Sequence, residues 1–170
     1  MRVYSFAEKQ REEAKLCEKG VNTHFLRSEE KGQAIARQLI EKTISGEKVV
    51  FVCSSDSDGM ALLSAARIVY ASGRDVVVGI VSPVGAWTPS GWKEHVEILK
   101  KRGIKTIFFL DKPRGWNAFL NASLGGQKII ATVFSCWKAR VDCQFFGEWV
   151  IRSFPFVIGV DLPFGYPEAV

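Results

Sequence analysis

The sequence predicts an α/β protein, a three-layer sandwich in which helices cover both faces of a mainly parallel sheet of about five strands. Three observations carry this. Short apolar runs recur at Lys48–Cys53, Asp75–Ser82, Ile104–Leu110, Lys128–Phe134 and Phe156–Asp161. Runs without polar alternation suit strands buried on both faces of a parallel sheet. Helical composition or period fills most of the gaps between them, and short loops joining such units imply right-handed crossovers and a Rossmann-like topology.

Taken in order, Ser5–Lys19 reads as a polar helix with Ser5 and Glu8 as a capping box and Gly20 as its stop. A second helix is expected from about Ser28 to Ile44, with Ile35, Leu39 and Ile40 facing a core. Lys48–Cys53 is the first strand. Gly59–Ser72 is rich in Ala and Leu, suits a helix, and is closed by Gly73. Asp75–Ser82 is the second strand and Pro83–Ser90 a loop. Gly91–Arg102 is amphipathic through Trp92, Val96 and Leu99, and Gly103 caps it. Ile104–Leu110 is the third strand. Asp111–Gln127 is less regular, with a short helix expected at Trp116–Asn121. Lys128–Phe134, a helix at Asp142–Ser153 and the strand Phe156–Asp161 complete the chain.

A length of 170 residues fits one domain, 1–170, with one core. Apolar content of 47% and a mean hydropathy of +0.05 describe a globular chain rather than a disordered one. No apolar run is long enough to span a bilayer, and the mixed-charge start lacks the apolar stretch of a signal peptide. The expected setting is cytoplasmic, with no membrane partner. Cys17, Cys53, Cys136 and Cys143 form no C-x-x-C pair, so neither a disulfide framework nor a zinc site is expected. His24 and His95 have no nearby candidate ligand in sequence and read as surface or core residues.

The net charge of +5 is uneven. Residues 91–140 hold ten basic and three acidic side chains, together with Trp92, Trp116 and Trp137. Basic residues among aromatics are compatible with single-stranded nucleic acid. They equally describe a solvated basic helix over core tryptophans, and that plainer reading is preferred. DNA is not an expected partner.

Three strand ends are chemically distinctive: Ser54–Gly59, Ser135–Asp142, and Asp161-Leu162-Pro163-Phe164-Gly165. In open α/β sheets the carboxyl ends of the strands build the site. Asp56 and Asp58 stand at the start of a helix, where carboxylates complement the dipole and cap free N–H groups.

These ends, in this order, resemble the YjeF N-terminal domain family, whose catalytic members are NAD(P)H-hydrate epimerases. Leu26–Ala36 is similar to the family's M-E-x-A-G-x-x-x-A, with Glu29, Gly32 and Ala36 in place. Cys53–Arg67, CSSDSDGMALLSAAR, is similar to C-G-P-G-N-N-G-G-D-G-L-V-A-A-R in Cys53, one glycine and the final Ala65-Ala66-Arg67. Ile130–Ser135 corresponds to V-D-A-I-F-G, and Gly159–Gly165 to S-V-D-I-P-S-G. The resemblance implies nucleotide binding at Ser54, Ser55, Ser57, Asp58, Gly59, Met60, Ser135 and Asp161, with NAD(P) or another nucleotide as the candidate cofactor.

The departures from the pattern bear on chemistry. The family's potassium site takes oxygens from an Asn, an Asp and a Ser, at positions held here by Asp58, Ala131 and Phe164. Two of three oxygen ligands are gone, so the potassium site is expected to be lost. Ala131 also removes the family's acid/base, leaving Asp161 as the one catalytic candidate if activity persists. No metal site is expected, and Asp58 is only a weak candidate. The resemblance implies further strands beyond Gly165, so a sheet edge is expected to be covered, by a homodimer partner in the first instance.

These features lead to an expected catalytically degenerate, homodimeric scaffold associated with nucleotide or RNA. Its counterpart is the non-catalytic enhancer-of-decapping branch of the family, with RNA or mRNA-decay proteins as partners. The alternative is an NAD(P)H-hydrate epimerase with an altered site. A second alternative is a DHH-like metal phosphoesterase, since Asp56-Ser57-Asp58-Gly59 is similar to D-x-D-G and Asp111 also ends a strand. The DHH histidines have no counterpart here.

Overall fold

The computed structural model describes residues 15, 18–20, 22–81, 90–109, 113–124, 129–134 and 156–159. Four long helices lie among them: α1 (Thr23–Lys42), α2 (Ser57–Ala71), α3 (Trp92–Lys101) and α4 (Pro113–Leu124). The strands are β1 (Lys48–Cys53), β2 (Asp75–Val81), β3 (Lys105–Phe109), β4 (Ile129–Phe134) and β5 (Phe156–Gly159). They form one sheet in the order β3-β2-β1-β4-β5, and every pair is parallel. The α/β class and the parallel sheet expected from the sequence are therefore what the chain adopts. Most of the expected helix Ser5–Lys19, and all of Asp142–Ser153, lie outside the described residues.

β1 is central and buried along its whole length. Its alternate residues divide between two cores, as the strand period requires. Val49, Phe51 and Cys53 align with Val76, Val78 and Ile80 of β2, and all six join one apolar cluster. Ala36 and Leu39 of α1, much of α2, and Trp92, Val96 and Leu99 of α3 complete it. The opposite face is reached by α4. There Phe119 stacks on Phe109 with ring centroids 4.7 Å apart. Gly79 lies beneath them, and a Cβ on it would come within 2.5 Å of the Phe119 ring. The strand glycine makes room for an aromatic from the covering helix.

Two helices extend well beyond the sequence expectation. α1 starts at Thr23, not Ser28, because Asn22 caps it: its side-chain oxygen accepts from the Phe25 amide at 3.1 Å. The added turn is polar apart from Phe25 and Leu26, and Leu26 faces solvent, so no apolar period announced it. α4 extends to Pro113–Leu124 rather than Trp116–Asn121. Proline at the first helical position gives up an N–H that has no intrahelical partner there.

Gly73 and Gly103 stop α2 and α3 as expected, with φ of 87° and 74°. The residue after Gly73 does more than the sequence suggested. Arg74 donates to Ser72 O at 2.8 Å, to Ile40 O at 2.9 Å, and to Thr43 O. One guanidinium thus satisfies carbonyls at the C-terminal ends of both α1 and α2.

Candidate functional site

β1, β2 and β3 are laid down in one direction, and the chain then returns to place β4 on the other side of β1. The switch point is therefore the crevice above β1 and β4. Loop 54–56 and the N-terminus of α2 form its described wall.

That wall is built by the loop's own polar groups. Asp56 is the N-cap of α2, in an extended conformation. One oxygen of its carboxylate accepts from the Asp58 amide at 3.1 Å and the Gly59 amide at 2.9 Å. These N–H groups are among the free donors that make a helix N-terminus attractive to an anion. Here a resident anion already holds them. Ser55 is buried and donates to Val81 O of β2 at 3.3 Å, which fastens the loop to the sheet. Asp58 is buried too, and Lys31 of α1 reaches its carboxylate at 3.1 Å. The Asp56→Ala variant is expected to lose about 1 kcal/mol of stability in urea denaturation, with Asp56→Asn losing less because it retains the accepting oxygen.

Gly59 is fixed by space rather than by φ. A Cβ there would lie 1.8 Å from Ser54 O. The first turn of α2 therefore presses directly on the backbone that leaves β1. Met60 is fully buried within the core cluster, and its Cε lies beside Gly91. Ser54 is buried as well. Of the six candidate residues in this loop, Ser57 is the exposed one.

Behind the loop lies a charged group that the sequence reading did not assemble. Glu29 of α1 forms an ion pair with Arg67 of α2. Its other oxygen faces Nδ1 of His95 on α3 at 3.6 Å. His95 is 2% exposed, stacks on Phe25 with centroids 4.2 Å apart, and contacts Ser28 Oγ through Nε2 at 2.8 Å. In the sequence, Glu29, Gly32 and Arg67 stand out only through the family resemblance. The structure gives each a physical task. Gly32 lets α1 approach α2, since a Cβ on it would come within 2.6 Å of Ser64 Cβ. His24 is exposed, and His95 is a core residue as read.

The remaining candidates are not brought to this wall. Ser135, Asp161, Phe164 and Asp111 lie outside the described residues. The β1–β4 register sets Ala131 opposite Val49, four positions below Cys53, or about 13 Å down the strand. The position matched to the family's acid/base is therefore within the sheet and not at a strand end. Among the described residues, no group of three His, Cys, Asp or Glu side chains could hold a metal ion. None of the described helices is long and apolar enough to cross a membrane.

Comparison with solved structures places this architecture. Yeast YNL200c, known from a crystal structure, superposes on the chain with a TM-score of 0.58 at 19% identity, covering 98% of this chain and 72% of that one. The fold is the YjeF N-terminal fold. At this identity the likeness is one of fold alone. No family model and no curated protein matches the sequence. On the YjeF N-terminal fold, then, this chain carries a switch-point loop whose helix N-terminus is capped from within.

Proposed function

We propose that this chain is a catalytically silent protein of the YjeF N-terminal fold, acting as a homodimeric scaffold in association with RNA, as in mRNA decapping. The observation that carries the reading is the Asp56 carboxylate on the Asp58 and Gly59 amides. A nucleotide phosphate at this helix N-terminus would have to displace a bound anion and sit against its charge. The second carboxylate is neutralised by a lysine of the chain itself, Lys31, in the place where a metal reading would need an open ligand.

RNA is favoured over a nucleotide by what is exposed. Lys93, Lys100, Lys101, Arg102 and Lys105 face solvent on α3 and at the start of β3. Trp92 is 8% exposed and belongs to the core, as the plainer reading of this stretch expects. Phe108 of β3 is the exposed aromatic in its place, at 50%. Exposed cations on α3 suit a single strand bound by charge, and Phe108, on the side of the sheet where it meets Trp92 of α3, offers a ring for stacking.

The test is a thermal-shift titration with NADH, NADPH, AMP and single-stranded RNA, run beside an epimerisation assay on hydrated NADH and sedimentation of the free protein. The expected outcome is a dimer stabilised by RNA in a manner that weakens with salt, with no nucleotide response and no turnover. Measurable epimerisation that disappears on Asp161→Ala would sink this reading.

A further inference from the structure

β3 ends the sheet, with β2 on one side and, among the described residues, no strand on the other. Such an edge offers a row of unpaired N–H and C=O groups, which sheets commonly blunt with charge, proline or a bulge. β3 is lightly protected. Lys105 is its one charge, Thr106–Phe109 are uncharged, and the pairing with β2 runs without a bulge through Phe109. Phe108 is 50% exposed on it.

The helix beside the edge supplies the second observation. One flank of α3 faces α1, where His95 meets Ser28 and Phe25. Trp92, Val96 and Leu99 face the core. At about 100° per residue, the flank opposite His95 carries Lys93, Glu97 and Lys100, and all three are exposed. That flank lies toward the free side of β3. Charges of both signs on one surface are what a twofold contact between identical surfaces needs.

We propose that two copies of this chain join through β3, antiparallel about a twofold axis at Ile107, into one continuous sheet. The inference rests on the homodimeric reading above and names its interface. An axis at Ile107, the middle residue of β3, lets the whole strand pair. Ile107 lies opposite the partner's Ile107, Thr106 opposite the partner's Phe108, and Lys105 opposite the partner's Phe109. No like charges meet, whereas an axis at Lys105 would set two ammonium groups against each other.

The same axis matches the helix flanks. Trp92 meets Phe108 with ring centroids 6.4 Å apart, which sets the level of α3 along the strand. Ile107 lies about 3.3 Å down the strand from Phe108, and Glu94 about 3 Å down the helix from Trp92. The axis therefore passes α3 near Glu94. Glu97 then comes level, within about 3 Å, with the partner's Lys93, and the pair forms twice. Glu97 already holds Lys100 of its own helix at 3.1 Å, so in the dimer one carboxylate serves two cations. Exposed pairs of this kind add little affinity but select the orientation. The backbone of the added strand supplies the affinity. Side chains keep their faces on pairing, so both Phe108 rings remain on the α3 face of the joined sheet.

Two measurements on the full chain test this. In sedimentation, the wild type is expected to be a dimer. Glu97→Lys and Lys93→Glu, both at exposed positions, are each expected to weaken it about three- to tenfold, and the double variant to restore it. In the second, mild oxidation of Ile107→Cys is expected to give a disulfide-linked dimer. Opposed residues of an antiparallel pair have Cα atoms about 4.5–5.5 Å apart, within reach of that bond. Thr106→Cys is expected not to link, because it faces the partner's Phe108, and it controls with the wild type for the four native cysteines. A wild-type dimer that shows neither the charge exchange nor the Ile107→Cys link overturns this interface and leaves the homodimeric reading standing. Equal linking by Thr106→Cys overturns the axis at Ile107. A wild-type monomer overturns the interface and the homodimeric reading together.

Discussion

Replacement of Gly59 by alanine is expected to abolish or nearly abolish folding. Two effects oppose each other at this site. Gly59 lies inside α2 and is not among the positive-φ glycines, so alanine gains about 1 kcal/mol of helix propensity. Against this, the new Cβ would lie 1.8 Å from Ser54 O, 2.8 Å from its carbonyl carbon and 3.2 Å from its nitrogen. All three are backbone atoms and have no rotamer by which to move aside. The backbone cannot yield cheaply either, because Ser55 is tied to Val81 O and Asp56 to the helix. Sterics win, and a loss above about 4 kcal/mol is expected in urea denaturation. Wild-type stability in this variant would mean that α2 does not press on the end of β1.

Phe119→Ala is expected to cost about 3–5 kcal/mol, as large apolar truncations in a core do. Phe119 is 1% exposed and, with Phe109, fills the space over Gly79, whose missing side chain cannot help to close the gap that alanine would leave. The stack on Phe109 goes with it, adding about 0.5–1.5 kcal/mol within that range. Guanidinium denaturation monitored by circular dichroism measures the change. A loss below about 1 kcal/mol would show that α4 is not what closes this face.

The sheet was legible because its strands carry their signal locally. Lys48–Cys53 and Asp75–Val81 are apolar at nearly every position, since both faces are covered. The stops were legible for the same reason: Gly73 and Gly103 need only their own φ. Asp56 as an N-cap was readable from its place before an Ala/Leu-rich run. What escaped the sequence was whatever depends on distant residues meeting. Arg74 carries no signal in its own segment, because its task exists only where two helix ends converge on it. His95 and Glu29 are far apart in the chain, and nothing in either segment marks the other. The start of α1 was hidden because its first turns bond to Asn22 and His95 and do not present an apolar face. Gly59 was noted as a survivor of a glycine-rich pattern, but the reason for glycine, the approach of Ser54 O, exists only in three dimensions.

The central place of β1 has a consequence during synthesis. Val49 finds its neighbour Val76 once a single helix has emerged after it, whereas its other neighbour, Ala131, is made much later. Through that interval one side of a strand that is apolar beyond Lys48 offers unpaired N–H and C=O groups. A growing chain in that condition can pair with a copy of itself on a neighbouring ribosome. Lys48, at the foot of the strand, brings a charge to that edge, and in the finished protein the same ammonium contacts Asp75 and Ser123 O. Its position suits a gatekeeper against premature strand pairing as much as a tie in the folded sheet.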